Sequence, residues 1–180
     1  MAQDGFVRFF TRVTATHTVT YFVAGIFAFF VLDYATAFQS EHFSCWMRPT
    51  TSKWVALGPG LQWIRGLVFA AALYPFRHVF LESERGWLKL WGLVLGLGIL
   101  STYGPAPGSI EGLIYTTIPP LAQLRGLSEV VGQSLAFSVL LVAWYRRPSR
   151  AWGGVLYTLT VLGILMSVAG FLAAQAGVTR

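Results

Sequence analysis

An all-α membrane protein, a bundle of about five transmembrane helices in one polytopic domain over 1–180, is what three features of this sequence predict. Of its 180 residues 55% are hydrophobic and only 11% charged, against roughly a quarter charged in soluble domains. The apolar residues gather into five runs, each near the ~20 residues an α-helix needs to cross a bilayer. Most basic residues and the main Pro/Gly clusters fall between those runs, where connectors belong.

The first run, 15–38, follows Arg8 and Arg12 and has Val19 to Leu32 as its apolar centre. Basic residues, an apolar run and the small residues Ala35-Thr36-Ala37 also fit a cleavable secretory signal. Because the apolar run resumes at Phe38 and the chain beyond is itself polytopic, an uncleaved span is expected. The second run, 57–76, opens on the break Gly58-Pro59-Gly60 and ends before Arg77.

The third run, 88–103, is short and stops at Gly104-Pro105-Ala106-Pro107-Gly108. A further apolar piece, 110–118, is closed by Pro119-Pro120, and helices end at such clusters. That piece is too short to cross. Either it lies along the membrane surface, or it re-enters the protein, which requires an internal polar cavity to satisfy its backbone.

The fourth run, 127–145, has Ser128 as a candidate N-cap with Glu129 in the first turn, where the helix dipole favours a carboxylate. The fifth occupies 151–174. Gly92 with Gly96, and Gly163 with Ser167, are small residues one turn apart, the spacing that lets helix backbones approach in lipid.

Eight basic residues (Arg8, Arg12, Arg77, Arg85, Lys89, Arg146, Arg147, Arg150) fall on one side of this arrangement and four (Arg48, Lys53, Arg125, Arg180) on the other. The positive-inside rule then places the N-terminus in the cytoplasm and the C-terminus on the exported side. The expected setting is a bacterial cytoplasmic (inner) membrane. Trp46, Trp54, Trp87, Trp144 and Trp152 stand near span ends, at headgroup level.

Arg65 lies inside the second run, where a cation is costly and implies a partner. It is twelve positions from Arg77, about 18 Å along a helix, so two arginines reaching in opposite directions nearly bridge the hydrocarbon. The alternative turns Arg65 inward, with Gln62 on the same face. Glu111 is its expected partner: Ile64-Arg65-Gly66-Leu67 and Ile110-Glu111-Gly112-Leu113 each follow a Pro/Gly break. Paired broken helices of this kind line transporter sites.

With Glu129, Gln133 and Asp33, these residues fall in the exported halves of the spans, while the cytoplasmic halves are almost purely apolar. The expected ligand site is therefore Arg65, Glu111, Gln62, Glu129, Gln133 and Asp33, taking a small anionic or zwitterionic solute or a lipid for binding or transport.

No cofactor is expected. Cys45 is the single cysteine, and His17, His42 and His78 are isolated, so no metal site is assembled. His17 and His78 are placed near the cytoplasmic face. No catalytic residue is nominated, since no nucleophile–base pair is visible, and no phosphate-binding glycine loop is present.

The basic pI near 9.9 arises from the connectors, which argues against nucleic acid. The partners expected are the lipid bilayer, a small-molecule or lipid ligand, and either further copies of the chain or the other subunits of a membrane complex. A noncatalytic subunit or assembly factor is the second functional expectation. A lipid-acting intramembrane enzyme using Glu111 or Glu129 is the third.

Overall fold

Apolar helices fix the architecture, because in lipid every backbone polar group must be satisfied within its own segment. The computed structural model describes residues 5–45, 47–100 and 105–177, and among the described residues 78% are helical and no strand occurs. The helices are α1 (Phe6–Val31), α2 (Tyr34–Ala37), α3 (Lys53–Leu57), α4 (Gln62–Leu73), α5 (Gly86–Leu100), α6 (Ile110–Tyr115), α7 (Pro120–Arg146) and α8 (Arg150–Gln175). A 3-10 turn, Gly58–Leu61, joins α3 to α4, and a π turn, His78–Glu82, precedes α5.

Four segments are long and apolar enough to cross a membrane: α1, the α3–α4 segment Lys53–Leu73, α7 and α8; α5 is apolar but shorter. Large apolar side chains point outward along them, Phe30, Val68, Leu165 and Met166 among them. This is the surface of an integral membrane protein.

Several boundaries differ from expectation. Helix α1 begins at Phe6 rather than 15 and ends at Val31. The second crossing starts at Lys53 instead of 57, because the Gly58-Pro59-Gly60 break is absorbed as a 3-10 turn. Helix α7 starts at Pro120 rather than 127: Pro120 is a good first helical residue, since its missing N–H has no intrahelical acceptor there anyway. Pro119-Pro120 therefore launches a helix.

Ser128 consequently lies inside α7, its hydroxyl donating to the Arg125 carbonyl at 2.6 Å, and does not cap the helix, nor is Glu129 in its first turn. Residues 101–103 of the third run, Gly104 of its break, Trp46 and Arg180 lie outside the described residues.

Helix α1 is the hub, packed against α4, α7 and α8, while α5 packs on α7 and α3 on α8. Small residues make the approaches close. A Cβ on Gly66 would stand 2.8 Å from the Thr14 Cα, and one on Gly60 would stand 2.7 Å from the Ser167 Cβ. Phe22 faces Gly163, so Gly163 and Ser167 serve contacts within the chain. Gly92 and Gly96 meet nothing within 4 Å.

At the arginine-rich end, Phe9, Phe10 and Tyr74 form an aromatic cluster between α1 and α4. The connector before α5 is tied to the end of α7. Arg146 donates to the Leu81 carbonyl at 2.9 Å and also to that of Ser83, and Tyr145 donates to Glu82 at 2.9 Å.

Gly86 is where this connector closes, and a Cβ there would lie 1.9 Å from the Phe80 carbonyl oxygen. Gly86→Ala must therefore move backbone, costing about 1–3 kcal/mol, or roughly 3–10 °C in the thermal midpoint at this chain size. Gly92→Ala, in open space, should leave the midpoint within about 2 °C. Thermal scans of both variants in detergent by tryptophan fluorescence check the contrast, and equal midpoints would contradict the packing.

Glu82 supplies a pH dependence. Hydrogen bonds from His78 (2.8 Å) and then Tyr145 hold its carboxyl below the usual value of 4.5. A depressed folded value contributes stability that is complete above the unfolded value and lost as pH falls through the folded one. Between about pH 6 and about pH 3, Glu82→Gln should lose less of its thermal midpoint than the wild type. Identical pH profiles would show that these bonds add nothing.

Candidate functional site

Arg65 is deeper than the sequence indicated. With the crossing starting at Lys53, it stands twelve positions from Lys53 and twelve from Arg77, about 18 Å from each. Its guanidinium lies over the Phe69 ring, 5.7 Å from the centroid, and does not run to either end of the helix.

His17 is the second polar group at this depth. Because α1 begins at Phe6, His17 is eleven residues into a 26-residue helix, near its middle and not at an end. It is 2% exposed and its Nε2 has no hydrogen-bond partner. Its ring packs against Phe69 at 4.9 Å, Phe137 at 5.9 Å and Tyr21 at 6.2 Å. Gln62 lies beside it, yet Gln62 Oε1 and His17 Nε2 close no hydrogen bond of normal geometry. Two buried polar atoms are thus left unsatisfied beside Arg65, whose charge reaches both His17 and Tyr21.

Arg65 and His17 open into a groove of about 530 Å³ with α4 and α5 as its walls, lined also by α1 and α7. Arg65, His17, Gln133 and Ser134 supply its polar lining; the rest includes Phe69, Phe76, Leu93, Leu97 and Phe137, and among the described residues no lining side chain is acidic. A cation, an imidazole, an amide and a hydroxyl in an otherwise apolar groove can hold an anionic group by charge-assisted hydrogen bonds.

Gln133 also lines a second cavity, of about 320 Å³, between α1 and α7. Glu129 lies there too and accepts a hydrogen bond from the Tyr34 hydroxyl, which brings the chain after α1 back onto α7. Tyr21 lies within the field of both Glu129 and Arg65.

Of the expected site, the structure gathers Arg65, Gln62 and Gln133 around His17, with Glu129 in the adjoining cavity. Glu111 is elsewhere: it sits in the first turn of α6, which Ser109 caps and which packs on α5 and α7. Among the described residues no ion pair joins it to Arg65. Asp33 is exposed in the left-handed region (φ 48°), where its carboxylate accepts from the Thr36 amide at 3.4 Å and caps α2. Asp tolerates that backbone better than most residues.

Gln123 was not anticipated from the sequence. It is 1% exposed, and it donates to the carbonyls of Gly112 (3.2 Å) and Ile118 (2.9 Å) while accepting from the Gly108 amide (3.1 Å). One side chain thus ties Gly108, Gly112 and Ile118 together around α6.

The signal for His17 was present in its neighbours. Thr14, Thr16, Thr18 and Thr20 make α1 unusually polar at mid-span, and the hydroxyls of the first three are buried without partners. Among the described residues no group of three His, Cys, Asp or Glu side chains is arranged to hold a metal ion. Compared with known proteins, the chain matches no family model, no curated sequence and no solved structure.

Proposed function

We propose that this chain is a multi-pass membrane protein of about five spans that binds, and in the fuller version of the proposal transports, an anionic amphiphile in the groove between α4 and α5. One observation carries the proposal: a mid-span arginine lines a largely apolar groove in which no acidic side chain among the described residues answers its charge. Leaving such a cation uncompensated in hydrocarbon is costly. An acidic headgroup supplies the missing charge, and the apolar walls suit its tail. His17, with an unsatisfied Nε2 beside Arg65, is the second headgroup contact. Counter-charge comes from the ligand, in place of the Glu111 pairing expected from sequence. The Pro/Gly-broken segment around α6, with α5 as the remaining short crossing, closes one end of the bundle.

A subunit role has one observation in its favour. Gly92 and Gly96 leave a small-residue face on α5 with nothing against it within 4 Å, suited to another helix, and an acidic side chain on that helix would serve Arg65 equally well. Gentle extraction followed by sizing separates the two proposals: a stoichiometric partner protein favours the subunit, and the chain alone or as a homo-oligomer favours the ligand site.

Binding of oleate and of its methyl ester to the purified chain in detergent tests the ligand proposal, since the two share a tail and differ in charge. Oleate should bind and the ester bind far more weakly, and Arg65→Ala should weaken oleate roughly ten- to hundredfold with unchanged secondary structure. His17→Ala should weaken it less. Equal binding of acid and ester, or an unaffected Arg65→Ala, would rule out the groove as an anion site.

A further inference from the structure

A second basic cavity lies at the arginine-rich end of the bundle, away from the groove. It measures about 470 Å³ and its lining includes Arg8 and Arg12 from α1, Trp144 from α7, and Arg150, Gly154 and Tyr157 from α8. Among the described residues that line it, none is acidic. Arg12 is only 6% exposed, its guanidinium 5.3 Å from the centre of the Trp144 ring. Trp144 packs edge-on against Tyr157 at 5.6 Å, and the Tyr157 hydroxyl meets Thr11 Oγ1 at 3.2 Å. Trp144, Tyr157 and Thr11 therefore brace this wall, and Arg12 is held against it.

Helix α8 starts at this wall, with Ser149 as its cap. The amides of Arg150 and Ala151 have no acceptor within the helix, and they add to the positive field of the helix end. Three guanidiniums around a space of this size match a phosphate, which arginine binds in bidentate fashion.

We propose that this cavity binds a phosphate group, presented by an anionic glycerophospholipid of the adjacent leaflet or by a free phosphate. Trp144 and Tyr157 favour the lipid as the source, because amphipathic rings sit at headgroup level. Each arginine near an anionic membrane surface strengthens attraction by roughly fivefold.

The full chain, purified in a neutral detergent, is titrated with phosphatidylglycerol, phosphatidylcholine or glycerol 1-phosphate, and bound molecules are counted by native mass spectrometry. Phosphatidylglycerol should bind at least about tenfold more tightly than phosphatidylcholine. Arg150→Gln should remove most of that preference. Gly154→Leu fills the cavity while keeping every charge, at a position where a Cβ meets nothing within 4 Å, and should remove it too. Binding of glycerol 1-phosphate alone, lost in both variants, also supports the site and assigns it to a free phosphate. Equal affinity for the two lipids with no glycerol 1-phosphate bound, or a preference that both variants retain, would overturn it.

Discussion

The close approach of α4 to α1 is the contact on which the rest of the structure depends. Gly66 lies against the backbone of Thr14, with room for no side chain between them. In lipid there is no hydrophobic drive to bring helices together, so such packing must supply the association itself. Fixing Gly66 at Thr14 fixes the depth of everything nearby: it sets Gln62 and Phe69 of α4 beside His17 of α1. A bulkier residue at 66 would push α4 outward and separate these groups, although it touches none of them.

From that contact the polar groups divide into two layers. The inner layer surrounds Arg65 and His17 at mid-span, with unsatisfied atoms and an apolar groove beside them. The outer layer is the arginine-rich end, where Arg146 pins the α4–α5 connector and Arg12 rests on Trp144. Outer-layer charges cost little, because headgroups and water are near. Inner-layer charges cost much, which is why the inner layer carries the functional proposal.

Much of the fold was legible in the sequence, because apolar runs of bilayer length leave the chain few alternatives. The α8 boundaries were found almost to the residue, since Ser149 is a good cap and the run that follows is unbroken. Boundaries set by proline were misread: Pro120 starts a helix and Pro59 sits within a 3-10 turn, roles that depend on which neighbouring N–H groups already lack acceptors. Of the site, Arg65 was legible because a cation in an apolar run is conspicuous by itself. The threonines around His17 mark it, but its depth was not legible, because that follows from where α1 begins, and Arg8 and Arg12 keep Phe6 to Thr14 from reading as membrane. The resemblance between the surroundings of Arg65 and Glu111 was a local similarity, and tertiary packing directs α6 to α5 and α7. Gln123 acts through three hydrogen bonds to backbone five to fifteen residues away, which no spacing in the sequence reveals.

The central claim is that the charge of Arg65 is answered by a bound anion. An experimental structure of the full chain, extracted with its native lipids, tests this most directly through the density beside the guanidinium. The account predicts a non-protein acidic group within hydrogen-bonding distance of Arg65 and near His17 Nε2, with a tail along Phe69, Phe76 and Leu97. An empty groove with Arg65 paired to a carboxylate of this chain or of a partner would contradict it.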